Sequence, residues 1–267
     1  MSKANTALVT GASAGIGAVY ADRLARRCHD LILVARDETR LNALAARLRS
    51  ETGRSVEILA ADLAARPDLL RVEHRLRQDP SIGMLVNNAG VAVAGSMHGS
   101  DVDRLETMVN VNITAALRLA HAAVEGFVAR GRGTLINVSS VLALAPERFN
   151  AVYSGTKSFI LNLSLALQTE LTNSGIRVQA VLPGATRTEL WGKAGIDLAA
   201  MPADMLMDVE EMVDAALAGL DIGEAVTIPS LPDTATWSRF NDARLAMGPN
   251  LSLAHAARRY NRAGEAA

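Results

Sequence analysis

The sequence TGASAGIG at residues 10–17 carries the clearest indication of how this chain folds. The apolar run Ala7–Thr10 precedes it, and the helical pattern that it opens continues through Val19 and Leu24. Glycine permits a tight turn and a close approach of the backbone to a ligand, while the free N–H groups at a helix N-terminus attract negative charge. A strand, a glycine turn and a helix in this order predict a site for the pyrophosphate of a dinucleotide.

Short apolar runs alternate with longer helical patterns along the rest of the chain. This alternation is typical of a parallel sheet with helices on both faces. The sequence therefore predicts an α/β fold, a Rossmann-type doubly wound sheet of seven mainly parallel strands. The expected strands are Ala7–Thr10, Leu31–Ala35, Val56–Ala60, Met84–Asn87, Thr134–Ser139, Arg177–Leu182 and Ala225–Ile228. The helical patterns between them, such as 102–128, are long enough for right-handed crossovers.

Composition excludes several classes of protein. Of the 267 residues, 49% are hydrophobic, and 27 Lys and Arg balance 28 Asp and Glu, so we expect no nucleic-acid partner. No apolar run has the length of a membrane span, and the polar N-terminus leads straight into a strand, so we expect a cytoplasmic protein without a membrane partner. Cys28 cannot form an intrachain disulfide, and the five histidines lack the spacing of metal ligands. We expect no metal site.

Further motifs follow the glycine turn. They are NNAG at residues 87–90, a serine pair at 139–140, YSGTK at 153–157 and PGATRT at 183–188. In their order and spacing these motifs, together with the glycine turn, resemble the short-chain dehydrogenase/reductase family. The resemblance implies an oxidoreductase that transfers a hydride between a nicotinamide cofactor and a carbonyl or alcohol carbon.

The resemblance covers about residues 5–230 and assigns a cofactor site along one edge of the sheet. The residues that it implies are Gly11, Ser13, Gly15, Ile16 and Gly17 in the first turn, Asp62 and Leu63 at the adenine ring, Asn88 and Gly90 in the cleft, and Pro183, Gly184 and Thr188 at the nicotinamide. Aspartate at a strand end and Pro-Gly are also common in plain turns.

The end of the second strand predicts which nicotinamide cofactor binds. In Rossmann-type sites an acid here binds the ribose 2′-hydroxyl of NAD, whereas an arginine accommodates the 2′-phosphate of NADP. Ala35 stands at the position of the acid, and Arg36 follows it. We therefore predict NADP rather than NAD, although Arg36 as a solvated surface charge is the alternative. Ala14 stands where many NADP enzymes of the family carry a basic residue.

Tyr153 and Lys157 are four residues apart, which places them on one face of a helix. An adjacent ammonium lowers the pKa of a phenol, so Tyr153 is predicted to be the general acid or base. Family spacing selects Ser140 as the hydroxyl that stabilises the substrate oxygen, and we expect Ser139 to cap the strand end. The resemblance also implies that Tyr153 and Lys157 contact the cofactor, with Lys157 bonded to the nicotinamide ribose.

Asn112 matches the family's helix asparagine, which holds a water linked to the lysine, and Asn110 is the nearby alternative. The predicted catalytic set is therefore Asn112, Ser140, Tyr153 and Lys157.

Two other functions fit the fold. An NADP-binding sensor or scaffold would keep the fold without turnover, but the intact catalytic set favours an enzyme. A sugar-nucleotide epimerase of this fold would need an additional substrate domain, and only about 40 residues follow the seventh strand.

We expect one domain over residues 1–267, with a flexible substrate lid near 189–208 and an irregular C-terminal tail from about 231. An ordinary helix pair on the sheet edge is the alternative to the lid. Residues 141–149 and the lid around 191–207 are expected to line the substrate pocket, and their apolar character predicts an apolar carbonyl or alcohol substrate. Leucine-rich faces on the helix at 158–171 fit either the core or contact with a second subunit, and the resemblance alone implies a homodimer or homotetramer.

Overall fold

Seven parallel strands form one sheet in the computed structural model, which describes residues 5–260. In chain order the strands are β1 (Thr6–Thr10), β2 (Asp30–Ala35), β3 (Val56–Ala60), β4 (Ile82–Asn87), β5 (Gly133–Val138), β6 (Ile176–Val181) and β7 (Val226–Thr227). Their spatial order is β3-β2-β1-β4-β5-β6-β7, and every pair is parallel. The predicted Rossmann-type sheet of seven strands is confirmed.

Helices connect the strands and cover both faces of the sheet. They are α1 (Gly15–Arg26), α2 (Glu38–Thr52), α3 (Arg66–Gln78), α4 (Val102–Val109), α5 (Ala116–Arg130), α6 (Ala151–Glu170), α7 (Glu189–Ala194), α8 (Val209–Asp221) and α9 (Thr234–Ala246). Neighbouring residues of β1 pack into hydrophobic cores on opposite faces of the sheet. Val9 packs with residues of α1, α2 and α8, whereas Leu8 packs with residues of α3 and α5. This burial on both faces explains why the strands are continuous apolar runs.

The strand order reverses between β1 and β4, which are neighbours in the sheet. Connections from these two strands therefore leave in opposite directions and open a crevice at their carboxyl ends. Ligands of doubly wound sheets bind at such a point. The turn at residues 10–17 and the loop that begins at Asn87 both lie there.

The helical pattern predicted at 102–128 contains an irregularity that the periodicity does not reveal. A π-helical turn over Asn110–Ala115 separates α4 from α5. Insertions of this kind occur often at functional sites, because the wider turn changes the direction of a side chain. Asn112 lies within this turn.

The segment 189–208 contains one helix, α7, followed by short 3₁₀ turns, so a helix pair is not present. Trp191 and Ala194 are buried on the inner side of α7. A bridge between Thr186 and Met207 joins the two ends of the segment. The flexibility of this lid stays a prediction.

Residues 230–260 form a compact unit of their own, separate from 5–229. The expectation of an irregular tail from about 231 is wrong for its first half, because α9 spans 13 residues. The carboxylate of Asp233 accepts from Thr236 N and caps this helix, and no glycine or proline interrupts it. The single-domain expectation for 1–267 stays a prediction, and its ends, 1–4 and 261–267, lie outside the described residues. Across residues 5–260, no helix combines the length and apolar character needed to cross a membrane.

Candidate active site

A cleft of about 820 Å³ lies at the carboxyl ends of the central strands. It contains most of the residues that the sequence singled out, brought together from seven separate segments of the chain. Those in its wall are Gly11, Ser13, Gly15, Ile16, Arg36, Asp62, Leu63, Asn88, Gly90, Ser140, Tyr153, Lys157, Pro183, Gly184 and Thr188. Gly17 and Asn112 do not line the cleft. They pack against or hydrogen-bond to the residues that do.

The glycine turn is shaped by two positions that tolerate no side chain. Gly11 has a φ of +68°, and a Cβ there would lie 2.8 Å from the Asn88 amide nitrogen. A Cβ on Gly17 would lie 2.6 Å from the same nitrogen and would collide with the Gly11 carbonyl oxygen. The start of α1 therefore packs directly on the turn, and its N-cap, Ala14, makes no side-chain cap hydrogen bond. This cradle fits the pyrophosphate of a dinucleotide.

Thr10, which the sequence analysis did not single out, fixes the β4 loop to the end of β1. Its hydroxyl accepts from Asn88 N at 2.9 Å and from Ala89 N at 3.0 Å, and the Asn88 amide donates to the Thr10 carbonyl at 2.8 Å. Its place directly before the first glycine of the turn was the available signal. These bonds hold the two walls of the crevice at a constant separation.

Ser140, Tyr153 and Lys157 lie together at the inner end of the cleft, and all three are buried. Asn150 caps α6 by accepting from Val152 N and Tyr153 N, which sets the first turn that carries the tyrosine. Lys157 Nζ donates to the Val138 carbonyl at 3.0 Å and lies 5.7 Å from the centroid of the Tyr153 ring.

The two serines have different partners. Ser139 Oγ donates to the Lys157 carbonyl at 2.7 Å, so it ties β5 to α6 instead of capping its own strand. The Ser140 hydroxyl accepts from Leu142 N at 3.2 Å and caps the turn that follows, and it faces the Pro183 carbonyl at 3.4 Å. Ser140 is thus the hydroxyl at the cleft.

The protonation of the tyrosine differs from the expectation. Burial raises the pKa of Tyr153 to about 12, and the Ser140 side chain opposes this only in part. Burial also lowers the pKa of Lys157 to about 8. The expected lowering of the Tyr153 pKa is therefore wrong, because desolvation of the phenolate outweighs the hydrogen bond with Ser140.

Asn112 connects two elements behind the site. Its amide accepts from Val91 N and donates to the Val91 carbonyl, both at 2.9 Å, and it also donates to Thr156 Oγ1 at 3.1 Å. These bonds fix the loop after NNAG against α6. Asn110 is only partly buried.

Aromatic side chains pack against Tyr153 and against each other. The Phe149 ring meets the Tyr153 ring edge to face at 5.3 Å between centroids, and Trp191 meets Phe149 in the same manner at 5.9 Å. Trp191 Nε1 donates to the Thr186 carbonyl at 2.9 Å. Trp191 is part of the cleft wall, whereas residues 141–149 are not, contrary to the expectation for that segment.

Two charged residues at the mouth of the cleft were missed. Arg40 on α2 and Glu189 on α7 form an ion pair across it, in which the single nitrogen Nη1 of Arg40 lies 2.8 Å from each oxygen of the carboxylate. Arg36 is exposed in the same wall and forms no ion pair with any residue from 5 to 260. The spacing of four between Arg36 and Arg40 was a signal, but no pattern links Arg40 to a residue 149 positions away.

A dinucleotide cradle that leads to a buried serine, tyrosine and lysine defines a nicotinamide-dependent oxidoreductase. The short chain dehydrogenase family matches residues 5–198, and the chain belongs to this family.

Solved structures of family members are similar over nearly the whole chain. A short-chain dehydrogenase from Sphingobium yanoikuyae in complex with NADPH is 52% identical, with a TM-score of 0.93 over 96% of this chain and 99% of that one. A bulky-bulky ketone specific alcohol dehydrogenase from Comamonas testosteroni is 45% identical, with a TM-score of 0.89 over 96% and 98% of the two chains. A very-long-chain 3-oxoacyl-CoA reductase of Danio rerio is 34% identical over 69% of this chain, which spans only 59% of that relative.

Proposed function

We propose that this protein interconverts an apolar ketone and its alcohol, with NADP as the preferred cofactor. The observation that carries the proposal is the buried Tyr153 hydroxyl beside Ser140, at the point where the dinucleotide cleft meets an aromatic wall. The nicotinamide, when bound, supplies the hydride for reduction and accepts it in oxidation.

Tyr153 acts as the general acid in the reductive direction. A pKa of about 12 keeps its phenol protonated near neutral pH, so the proton is available for the carbonyl oxygen. Ser140 donates a hydrogen bond to the same oxygen and stabilises the negative charge that develops there. As the proton leaves Tyr153, the nearby Lys157 ammonium stabilises the phenolate. Asn112 is a positioning residue, because it acts through the loop at Val91 and through α6.

The preference for NADP is supported by the charge at the end of β2. The strand ends in Ala35, so no acid stands at the position that binds the ribose 2′-hydroxyl in NAD enzymes, and Arg36 stands exposed in the cleft wall. Arginine binds phosphate with two parallel hydrogen bonds. The similarity to a Sphingobium enzyme that binds NADPH points the same way.

The substrate class is supported by the aromatic wall. Trp191 and Leu190 border the cleft near Tyr153, and Phe149 fills the space behind the tyrosine. Such a surface favours flat, apolar substituents over charged ones. The Comamonas relative is specific for bulky-bulky ketones, so we propose ketones with two large substituents as the substrates.

We further propose that the enzyme is a homodimer or homotetramer in the cytoplasm. Leu117 and Val128 are exposed apolar residues on α5, and burial against a second copy would remove them from water. Sedimentation velocity measures the mass directly, and a monomer at micromolar concentration would contradict the proposal.

The test is reduction of a ketone panel by the purified protein, followed by the loss of NADPH or NADH absorbance. The panel comprises a diaryl ketone, an alkyl aryl ketone, acetone and a 3-oxoacyl thioester, with each alcohol product identified by chromatography. We expect turnover of the diaryl ketone with NADPH and at least about tenfold less with NADH or acetone. Binding of NADPH without turnover of any carbonyl compound would instead support a sensor or scaffold.

A further inference from the structure

We propose that Glu189 limits the affinity for NADP, because it competes with the 2′-phosphate of the cofactor for the guanidinium of Arg40. The proposal rests on the preference for NADP described above and adds a residue that acts on it. Glu189 lies in α7, far in sequence from the nucleotide motifs.

The geometry places Arg40 beside Arg36 in the wall that receives the ribose. Arg40 is the third residue of α2, whose N-cap, Asp37, accepts from Arg40 N at 2.9 Å. The positive end of the helix dipole therefore points at the same region as both guanidinium groups. A phosphate here meets two arginines and a helix N-terminus, a combination suited to a dianion.

The Arg40 guanidinium is held by two carboxylates. Its Nη1 contacts both oxygens of Glu189 at 2.8 Å, and its Nε lies 3.3 Å from Asp37 Oδ2. Lys193 Nζ lies 3.0 Å from Glu189 Oε2 and steadies that carboxylate from the next turn of α7. The ion pair therefore crosses the cleft mouth between the start of α2 and the start of α7.

The pair is weak enough for a ligand to displace. The side chains of Arg40 and Glu189 are 47% and 50% exposed, and ion pairs with this exposure contribute little to stability. Glu189 engages only one guanidinium nitrogen, whereas a phosphate can accept two parallel hydrogen bonds from the guanidinium and carries a larger charge. NADH lacks the 2′-phosphate and cannot replace Glu189 as the partner of Arg40. The competition therefore affects the binding of NADPH and not that of NADH.

The experiment measures dissociation constants by isothermal titration calorimetry for the wild type, Glu189→Gln, Arg40→Ala and the double variant. The ligands are NADPH, NADH, adenosine 2′,5′-bisphosphate and AMP, so that the 2′-phosphate is tested with and without the nicotinamide. Glu38→Gln is the matched control, because it removes one carboxylate from the first turn of α2 and forms no ion pair with any described residue.

We expect Glu189→Gln to tighten the binding of NADPH and of the bisphosphate by about three- to tenfold, with NADH and AMP changed by less than about twofold. Arg40→Ala weakens the two phosphorylated ligands by about tenfold, and in its presence the gain from Glu189→Gln disappears. Glu38→Gln leaves all four constants within about twofold.

Three results would overturn the proposal. Glu189→Gln could leave NADPH binding unchanged, could tighten NADPH and NADH equally, or could keep its full gain in the Arg40→Ala background. A wild type that binds neither cofactor contradicts the proposed function itself, which distinguishes that failure from failure of the competition alone.

Discussion

The Lys157 ammonium lies 5.7 Å from the centroid of the Tyr153 ring, and both side chains are buried. Burial opposes charge on each of them, so it raises the pKa of Tyr153 to about 12 and lowers the pKa of Lys157 to about 8. The tyrosine is therefore a protonated acid near neutral pH, and the lysine is a cation held at a cost to stability. The buried Lys157 ammonium lowers the free energy of unfolding, so a residue with a purely structural role would not be expected to carry this charge.

Lys157→Met is expected to stabilise the cofactor-free protein at neutral pH. The folded pKa of about 8 lies below the ordinary value of 10.5, so the unfolded chain binds more protons between these two values. The resulting penalty is complete below pH 8 and is lost as pH rises towards 10.5. After allowance for the lost bond to Val138, we expect a gain of about 2 kcal/mol at about pH 7 and less than about 1 kcal/mol at about pH 10.

Urea denaturation at both pH values measures this difference. Lys193→Met is the control, because that lysine is 67% exposed and its loss changes stability by less than about 0.5 kcal/mol. A destabilised Lys157→Met variant at neutral pH would show that the lysine is not a buried charge in solution.

Gly17→Ala is expected to disrupt the glycine turn. The new Cβ collides with the Gly11 carbonyl, so α1 must move away from the turn, at a cost of about 2 kcal/mol or more, with a loss of about tenfold or more in nucleotide affinity. Gly155→Ala is the matched control, since a Cβ there meets nothing within 4 Å. In the middle of α6 it should stabilise by about 0.5–1 kcal/mol. Equal effects at the two glycines in thermal unfolding would refute this account of the turn.

Thr10→Val is expected to loosen the β4 loop. The Ala89 N–H loses its acceptor and the Asn88 N–H keeps only its 3.1 Å bond to the Val86 carbonyl, which costs about 1–2 kcal/mol for these partly buried groups. Thr10→Ser keeps the hydroxyl and should recover most of the free energy of unfolding measured with urea. If Thr10→Ser and Thr10→Val had equal stability, the Thr10 hydroxyl would not be the group that stabilises the β4 loop.

Trp191→Ala is expected to change substrate selection more than nucleotide binding. It removes the edge-to-face contact with Phe149 and opens the cleft wall, so kcat/KM for a diaryl ketone should fall by about tenfold or more relative to acetone. Trp191→Phe keeps an aromatic surface, so its ratio of kcat/KM for the diaryl ketone to that for acetone should lie between the ratios of Trp191→Ala and the wild type. A uniform loss across large and small ketones would indicate a general structural role.

Local patterns were sufficient to predict the sheet. Seven apolar runs gave all seven strands, with boundaries within two residues, because most strands are largely buried and their apolar pattern does not depend on distant partners. The helix in the C-terminal tail was harder to predict, because α9 buries none of its residues and shows no apolar stripe.

The residues of the site could be predicted only where they belong to sequence motifs. The residues in the glycine turn and in YSGTK come together in one cleft as the spacing indicates. The raised pKa of Tyr153 was not predictable, because it depends on packing against Phe149, and neither was the ion pair between Arg40 and Glu189. Such contacts follow from tertiary structure and leave no periodic signal.

The central claim is that Tyr153 provides the proton for carbonyl reduction. The most direct measurement is the single-turnover rate of diaryl ketone reduction by Tyr153→Phe and wild type, each saturated with NADPH, together with the dissociation constant of NADPH for both. We predict a rate lower by about 10³-fold in the variant, within the range for loss of a general acid, and an affinity within about threefold. A rate within about tenfold of wild type would contradict the claim and move the proton donor to another group.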